Sequence, residues 1–130
     1  MKILVVDDED IVLSSCRLVL EAENFEVLLA ESVEQALNIL SNEIPALLLI
    51  DVKMPAQDGM YLMKKVKEKW PAIPVIVMSG YPVDSTVKTA AELGAASFIA
   101  KPFTPDELLE TVRSILQKEK NHGKKENIGD

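Results

Sequence analysis

Asp7-Asp8, Asp51, Ser79 and Lys101 are the residues of this 130-residue chain whose types could combine to do chemistry. They are far apart in sequence, yet each site directly follows a short, largely apolar strand-like run, at residues 3–6, 46–50, 75–78 and 97–100. Three carboxylates gathered in one pocket repel one another by several kcal/mol in total at an effective dielectric of about 20, so they need a counter-charge. An all-oxygen donor set suits Mg2+, which keeps several waters and takes one or two carboxylates. No His or Cys stands among these residues, which argues against Zn2+. Lys101 supplies a second cation and Ser79 a hydroxyl donor. Such a pocket would hold a phosphoryl group. Metal and ammonium neutralise its oxygens, the hydroxyl donates to one, and a carboxylate is free to act as nucleophile. Taken singly, each residue has a plainer role: Asp51 closing a strand, Asp8 capping a helix, Ser79 turning with Gly80, Lys101 solvated in a loop. The coincidence of all of them at the ends of apolar runs carries the reading.

The elements that must bring them together are legible in the hydrophobic pattern. Short strand-like runs, apolar except for Ser97 and too short for a helix, predict strands over 3–6, 27–30, 46–50, 75–78 and 97–100. The run 46–50 is apolar throughout, as a strand buried on both faces requires. Between the runs the period changes to that of a helix. Ile11, Ser15, Leu18 and Ala22 fall on one face of the first, with Asn24 as a stop. Ser32 and Gln35 form a capping box for the second, whose stripe is Val33, Ala36, Leu37 and Leu40. Asp58 caps the third, with Leu62, Met63, Val66 and Trp70 inward. The fourth is thin: Val83, Val87, Ala90 and Ala91, ending at Gly94. The fifth has Thr104 as cap, Pro105 in its first position, Glu107 closing the box, and Leu108, Val112, Ile115 and Leu116 as its stripe.

Five βα units with short connections predict an α/β fold, a doubly wound parallel sheet with helices on both faces. All strand C-termini then lie along one edge, the edge where open parallel sheets place their ligands. Neighbouring strands are about 4.8 Å apart, so side chains from adjacent strand ends can meet. Strand order is not readable from periodicity. From Lys118 the pattern stops, and residues 119–130 read as a polar tail or the start of a linker, leaving 1–118 as the single domain. His122 falls in that tail, away from any site.

Composition narrows the function class. No run approaches the roughly 20 apolar residues of a membrane span. The net charge of −7 argues against direct nucleic-acid binding by this domain. A single cysteine, Cys16, cannot form an intramolecular disulfide, and the absence of a signal pattern after Met1 agrees with a cytoplasmic protein.

The stretches Val5-Val6-Asp7-Asp8-Glu9, Leu49-Ile50-Asp51-Val52-Lys53-Met54-Pro55 with Asp58-Gly59, Ser79-Gly80 and Lys101-Pro102-Phe103 together resemble the receiver domain of two-component response regulators, over residues 1 to 118. The resemblance implies a flavodoxin-like sheet of order 2-1-3-4-5. Asp51 would be the phosphoacceptor, and Asp7, Asp8, Asp51 and the backbone carbonyl of Lys53 would serve Mg2+. Ser79 and Lys101 would bind phosphoryl oxygens, and the Lys101-Pro102 bond would be cis. Phe98 stands at the family's switch aromatic and lacks a hydroxyl, so switching there must work by packing; the plainer role is a core residue of the fifth strand. Lys53 and Tyr81 would flank the pocket. The partners implied are a sensor histidine kinase or phosphotransfer protein and an output domain or target, with homodimerisation common in the family. The output face would be the fourth helix, fifth strand and fifth helix. Two other readings fit less well. A phosphatase of the haloacid dehalogenase type wants an Asp where Lys53 stands. A flavodoxin-like cofactor module wants a Ser/Thr/Gly-rich phosphate loop where Asp7-Asp8-Glu9-Asp10 stands.

Overall fold

A computed structural model of the chain describes residues 1–52, 59–80 and 84–128, with side chains described through 120 except at 84 and 85. Five strands form one parallel sheet: β1 (Lys2–Val6), β2 (Glu26–Ala30), β3 (Leu47–Asp51), β4 (Val75–Ser79) and β5 (Ser97–Ala100). Their order is β2-β1-β3-β4-β5, as the resemblance implies. The helices are α1 (Asp10–Glu21), α2 (Val33–Asn42), α3 (Gly59–Lys69), α4 (Asp84–Glu92) and α5 (Pro105–Ile128).

Both sheet faces are covered, because successive side chains of a strand point to opposite faces. Leu4, Val6, Leu48, Ile50 and Val77 pack under α2, α3 and α4, while Ile3, Val5, Leu49, Ile76 and Met78 pack under α1 and α5. That is why β3 is apolar until its last residue: alternation appears only in strands with one wet face.

Local signals set the helix ends. Thr104 and Glu107 make a reciprocal capping box, each backbone N–H donating to the other's side chain at 3.0 and 3.1 Å. At α2, Ser32 accepts from the Gln35 N–H at 3.2 Å, while Gln35 accepts from Glu31 rather than from Ser32 itself. Asn24 follows α1 at φ 69° and Gly94 follows α4 at φ 96°, left-handed positions suited to a helix stop. The Asp58 cap and Val83 fall outside the described residues.

Three expectations need correction. On α1 the face toward the sheet carries Leu13, Cys16 and Leu20, whereas Ile11 and Leu18 are 74% and 75% exposed. The helix has two apolar stripes, and the one flanked by Val12 and Val19 offers more continuous apolar area to bury. On α4, Val87 and Ala91 are exposed and Ala90 is the buried one among its described side chains, with Leu93 packed against the same cluster. Beyond Lys118 the backbone continues as helix to Ile128 instead of dissolving into a tail. Once α5 is nucleated and docked, each further Lys or Glu extends it at little free-energy cost.

Candidate functional site

Register places the site. Val6 lies opposite Ile50, so Asp7 and Asp51 leave adjacent strands side by side. The β1–β2 pairing persists one residue further through the Asp7 N–H to Ala30 carbonyl bond, 3.1 Å. Asp51 ends β3 and Ser79 ends β4, both buried. Lys101 follows β5 and is anchored by its N–H donating to the Ser79 carbonyl at 2.8 Å. Its bond to Pro102 is cis.

The Lys101 side chain runs back across the strand ends, 13% exposed. Its ammonium donates to Asp7 Oδ2 at 2.6 Å, to Asp51 Oδ2 at 3.2 Å and to Glu9 Oε1 at 3.3 Å. Asp7 also accepts at Oδ1 from the Glu9 N–H, 2.9 Å. One carboxylate oxygen from each of Asp7, Asp8, Glu9 and Asp51 lies within 4.8 Å of the others. Asp7 and Asp51 form the buried floor of this cluster, and Asp8 and Glu9 its exposed rim. Burial pushes the Asp7 carboxyl above its ordinary value against the lowering pull of Lys101 and the Glu9 N–H, and Asp51 adds to the rise. Burial alone would lower the Lys101 ammonium, but Asp7 and Asp51 outweigh it and hold the group above its ordinary value.

The approach of α3 to this edge depends on one glycine. A Cβ on Gly59 would stand 2.2 Å from the Asp51 carbonyl oxygen and 2.7 Å from Ile50 Cγ2. The Gly59 N–H donates to the Val52 carbonyl, 3.0 Å, tying the start of α3 to the strand that carries Asp51. A side chain at this position would push α3 away from the end of β3.

The structure therefore brings Asp7, Asp8, Asp51 and Lys101 together and sets Ser79 at the end of the next strand. Phe98 is half-buried on β5, packed against the cluster under α2, α3 and α4. Lys53 and Tyr81 lie outside the described residues. Glu9 is the residue that sequence reasoning left without a role. Glu9 stands at the N-cap of α1 and its side chain makes no cap bond, so its part depends on the reach of a flexible side chain to Lys101, which residue spacing does not reveal.

Comparison with known proteins agrees with this geometry. The family model described as the response regulator receiver domain matches residues 3–113. Sporulation initiation phosphotransferase F of Bacillus subtilis is 35% identical over 120 residues, covering 92% of this chain and 97% of that protein. The hydrogenase transcriptional regulatory protein HoxA of Cupriavidus necator is 36% identical over 116 residues, 88% of this chain but 24% of that one. The chain thus spans about a quarter of HoxA and nearly all of the Bacillus protein. Among solved structures, a CheY-like receiver domain protein from Methanospirillum hungatei superposes with a TM-score of 0.89 at 31% identity, covering 93% of this chain and 97% of that one. NtrX from Brucella abortus superposes at 0.93 with 29% identity, covering 98% of this chain and 29% of that one. Nothing in these matches supports the phosphatase alternative. The chain belongs to the response regulator receiver domains, the signalling domains of two-component systems.

Proposed function

We propose that Asp51 is the phosphoacceptor of this domain. A carboxylate oxygen of Asp51 attacks the phosphorus of a phosphohistidine on a sensor kinase or phosphotransfer protein. The new P–O bond forms as the P–N bond breaks, and the imidazole leaves. The observation that carries this reading is the Lys101 ammonium held between buried Asp7 and Asp51 at 2.6 and 3.2 Å. It stands where a phosphoryl oxygen on Asp51 would need a cation. Ser79, closing the neighbouring strand, would donate its hydroxyl to another phosphoryl oxygen.

The all-oxygen cluster fits a hard divalent cation. Asp7, Asp8 and Asp51 would hold Mg2+, and the Lys53 carbonyl assigned by resemblance lies outside the described residues. When bound, the ion would neutralise charge on the transferring group and on the crowded carboxylates. This chain's own residues orient the nucleophile: the β1–β3 pairing fixes Asp51 beside Asp7, and Gly59 keeps α3 against the end of β3.

The donor's docking surface would be the exposed side of α1 with the loop before α5. Ile11 and Leu18 stand out from α1, and an open groove of about 500 Å³ runs from Glu9 past Val12 and Ser15 to Pro102 and Phe103. The output face would be α4, β5 and α5, with Phe98 shifting by packing rather than by hydrogen bonding. α4 buries little and would move most readily. Among the described residues no helix is long and apolar enough to cross a membrane. The buried Cys16 thiol, pushed up to about 11 mainly by burial, suits a reducing cytoplasm.

Incubation with acetyl phosphate and Mg2+ should add one phosphoryl group to the wild-type chain by intact mass and none to Asp51→Asn. Equal uptake by both chains would overturn the assignment of the nucleophile.

A further inference from the structure

An ammonium has three N–H donors and no acceptor. Those of Lys101 are matched by three carboxylates: Asp7 at 2.6 Å, Asp51 at 3.2 Å and Glu9 at 3.3 Å. A phosphoryl oxygen arriving on Asp51 can therefore reach Lys101 only if one of these contacts gives way. Asp7 is fully buried, holds the shortest contact and is fixed from its other oxygen by the Glu9 N–H. Asp51 carries the incoming group. Glu9 has the longest contact, a side chain 57% exposed, and no cap bond to α1 that would keep it in place.

We infer that the Glu9 carboxylate is a displaceable placeholder, occupying on Lys101 the position a phosphoryl oxygen takes when Asp51 is phosphorylated. This rests on Asp51 being the phosphoacceptor. Glu9 is thus a positioning residue acting through Lys101, and it divides the four acids of the cluster by task. Asp7, Asp8 and Asp51 serve the divalent cation, while Glu9 serves the ammonium from the rim. Its backbone makes that reach dependable. The Glu9 N–H is bound to Asp7 and its carbonyl accepts from Val12 and Leu13, so the side chain starts from a fixed point above the pocket. Two consequences follow from charge. Glu9 competes with the phosphoryl group for Lys101, and its negative charge at the rim repels anionic donors. Both oppose phosphorylation, and the repulsion acts more strongly on a donor of higher negative charge.

The test compares Glu9→Gln with wild type at saturating Mg2+, using acetyl phosphate, a dianion at neutral pH, and phosphoramidate, which carries less negative charge. In both reactions Asp51 forms the new P–O bond as the donor's P–O or P–N bond breaks, releasing acetate or ammonia. E9Q should raise the acetyl phosphate rate about two- to fivefold, the scale of one exposed charge. It should raise the phosphoramidate rate less, and high salt should shrink the difference. A general disturbance of the pocket would change both donors' rates alike. Rates unchanged, lowered, or altered equally for both donors overturn the inference while leaving Asp51 as phosphoacceptor. A wild-type chain that takes phosphoryl from neither donor overturns both.

Discussion

The bodies of the central strands and their C-terminal ends, two residues apart, are opposite environments. Within β1, β3 and β4, Val5, Leu49 and Ile76 are fully buried among other apolar side chains, and their burial favours the fold. Two residues further on, Asp7 and Asp51 are nearly as buried, but they are carboxylates facing each other. Burial there costs free energy, and the single ammonium of Lys101 offsets only part of it. The contrast shows that the site is held in place against its own electrostatics by the apolar strands beneath it. The strand bodies stabilise the fold, and the strand ends gather its ionisable groups.

Substitutions should separate the two. The largest effect is expected in the strand body. Leu49→Ala should lower unfolding free energy by about 2–5 kcal/mol, the range for a fully buried leucine. The loss should be the same with and without Mg2+, measured by urea denaturation. A loss that vanished with Mg2+ would mean that the strand body and the site are not separable.

A smaller effect of opposite sign is expected at the strand end. Asp7→Asn should raise stability by about 1 kcal/mol in metal-free buffer at neutral pH, because it removes a crowded buried charge while Lys101 keeps Asp51 and Glu9. The pH dependence follows from the raised Asp7 value. A carboxyl raised in the folded chain favours the neutral form, so its contribution is present below the ordinary carboxylate range. That contribution is lost as pH rises through the folded value. Wild type and D7N should therefore converge in acid and separate toward neutrality, D7N being the more stable. Added Mg2+ should close the gap by stabilising wild type, since a ligand that binds the folded state adds to its stability. A D7N chain less stable than wild type at neutral pH without metal would break the comparison.

How much of this was readable in the sequence depended on whether a local rule had a competitor. The strands were legible because short, largely apolar runs of four or five residues fit little else, and the observed limits differ by one residue at most. α5 was legible because Thr104, Pro105 and Glu107 act together on one helix end. The inward face of α1 was not. Ile11 and Leu18 form as regular a stripe as Leu13, Cys16 and Leu20, and only the sheet beneath decides which is buried. The helical run past Lys118 was missed because polar composition marks an unpacked segment, yet an unpacked segment can still prolong a helix already formed. At the site, Asp7, Asp8, Asp51 and Lys101 were legible as strand-end residues, because a parallel sheet brings its strand ends to one edge. Glu9 was not, because its part depends on how far a flexible side chain reaches, which spacing does not reveal.

The most direct test is to locate the phosphoryl group chemically. Wild-type protein is treated with acetyl phosphate and Mg2+, then with borohydride, which reduces an aspartyl phosphate to homoserine, and the peptides are mapped by mass spectrometry. Homoserine is expected at position 51 in treated protein and none when the phosphodonor is omitted. Homoserine at position 7 or 8 with none at 51, or a phosphoryl group that resists borohydride, would contradict it.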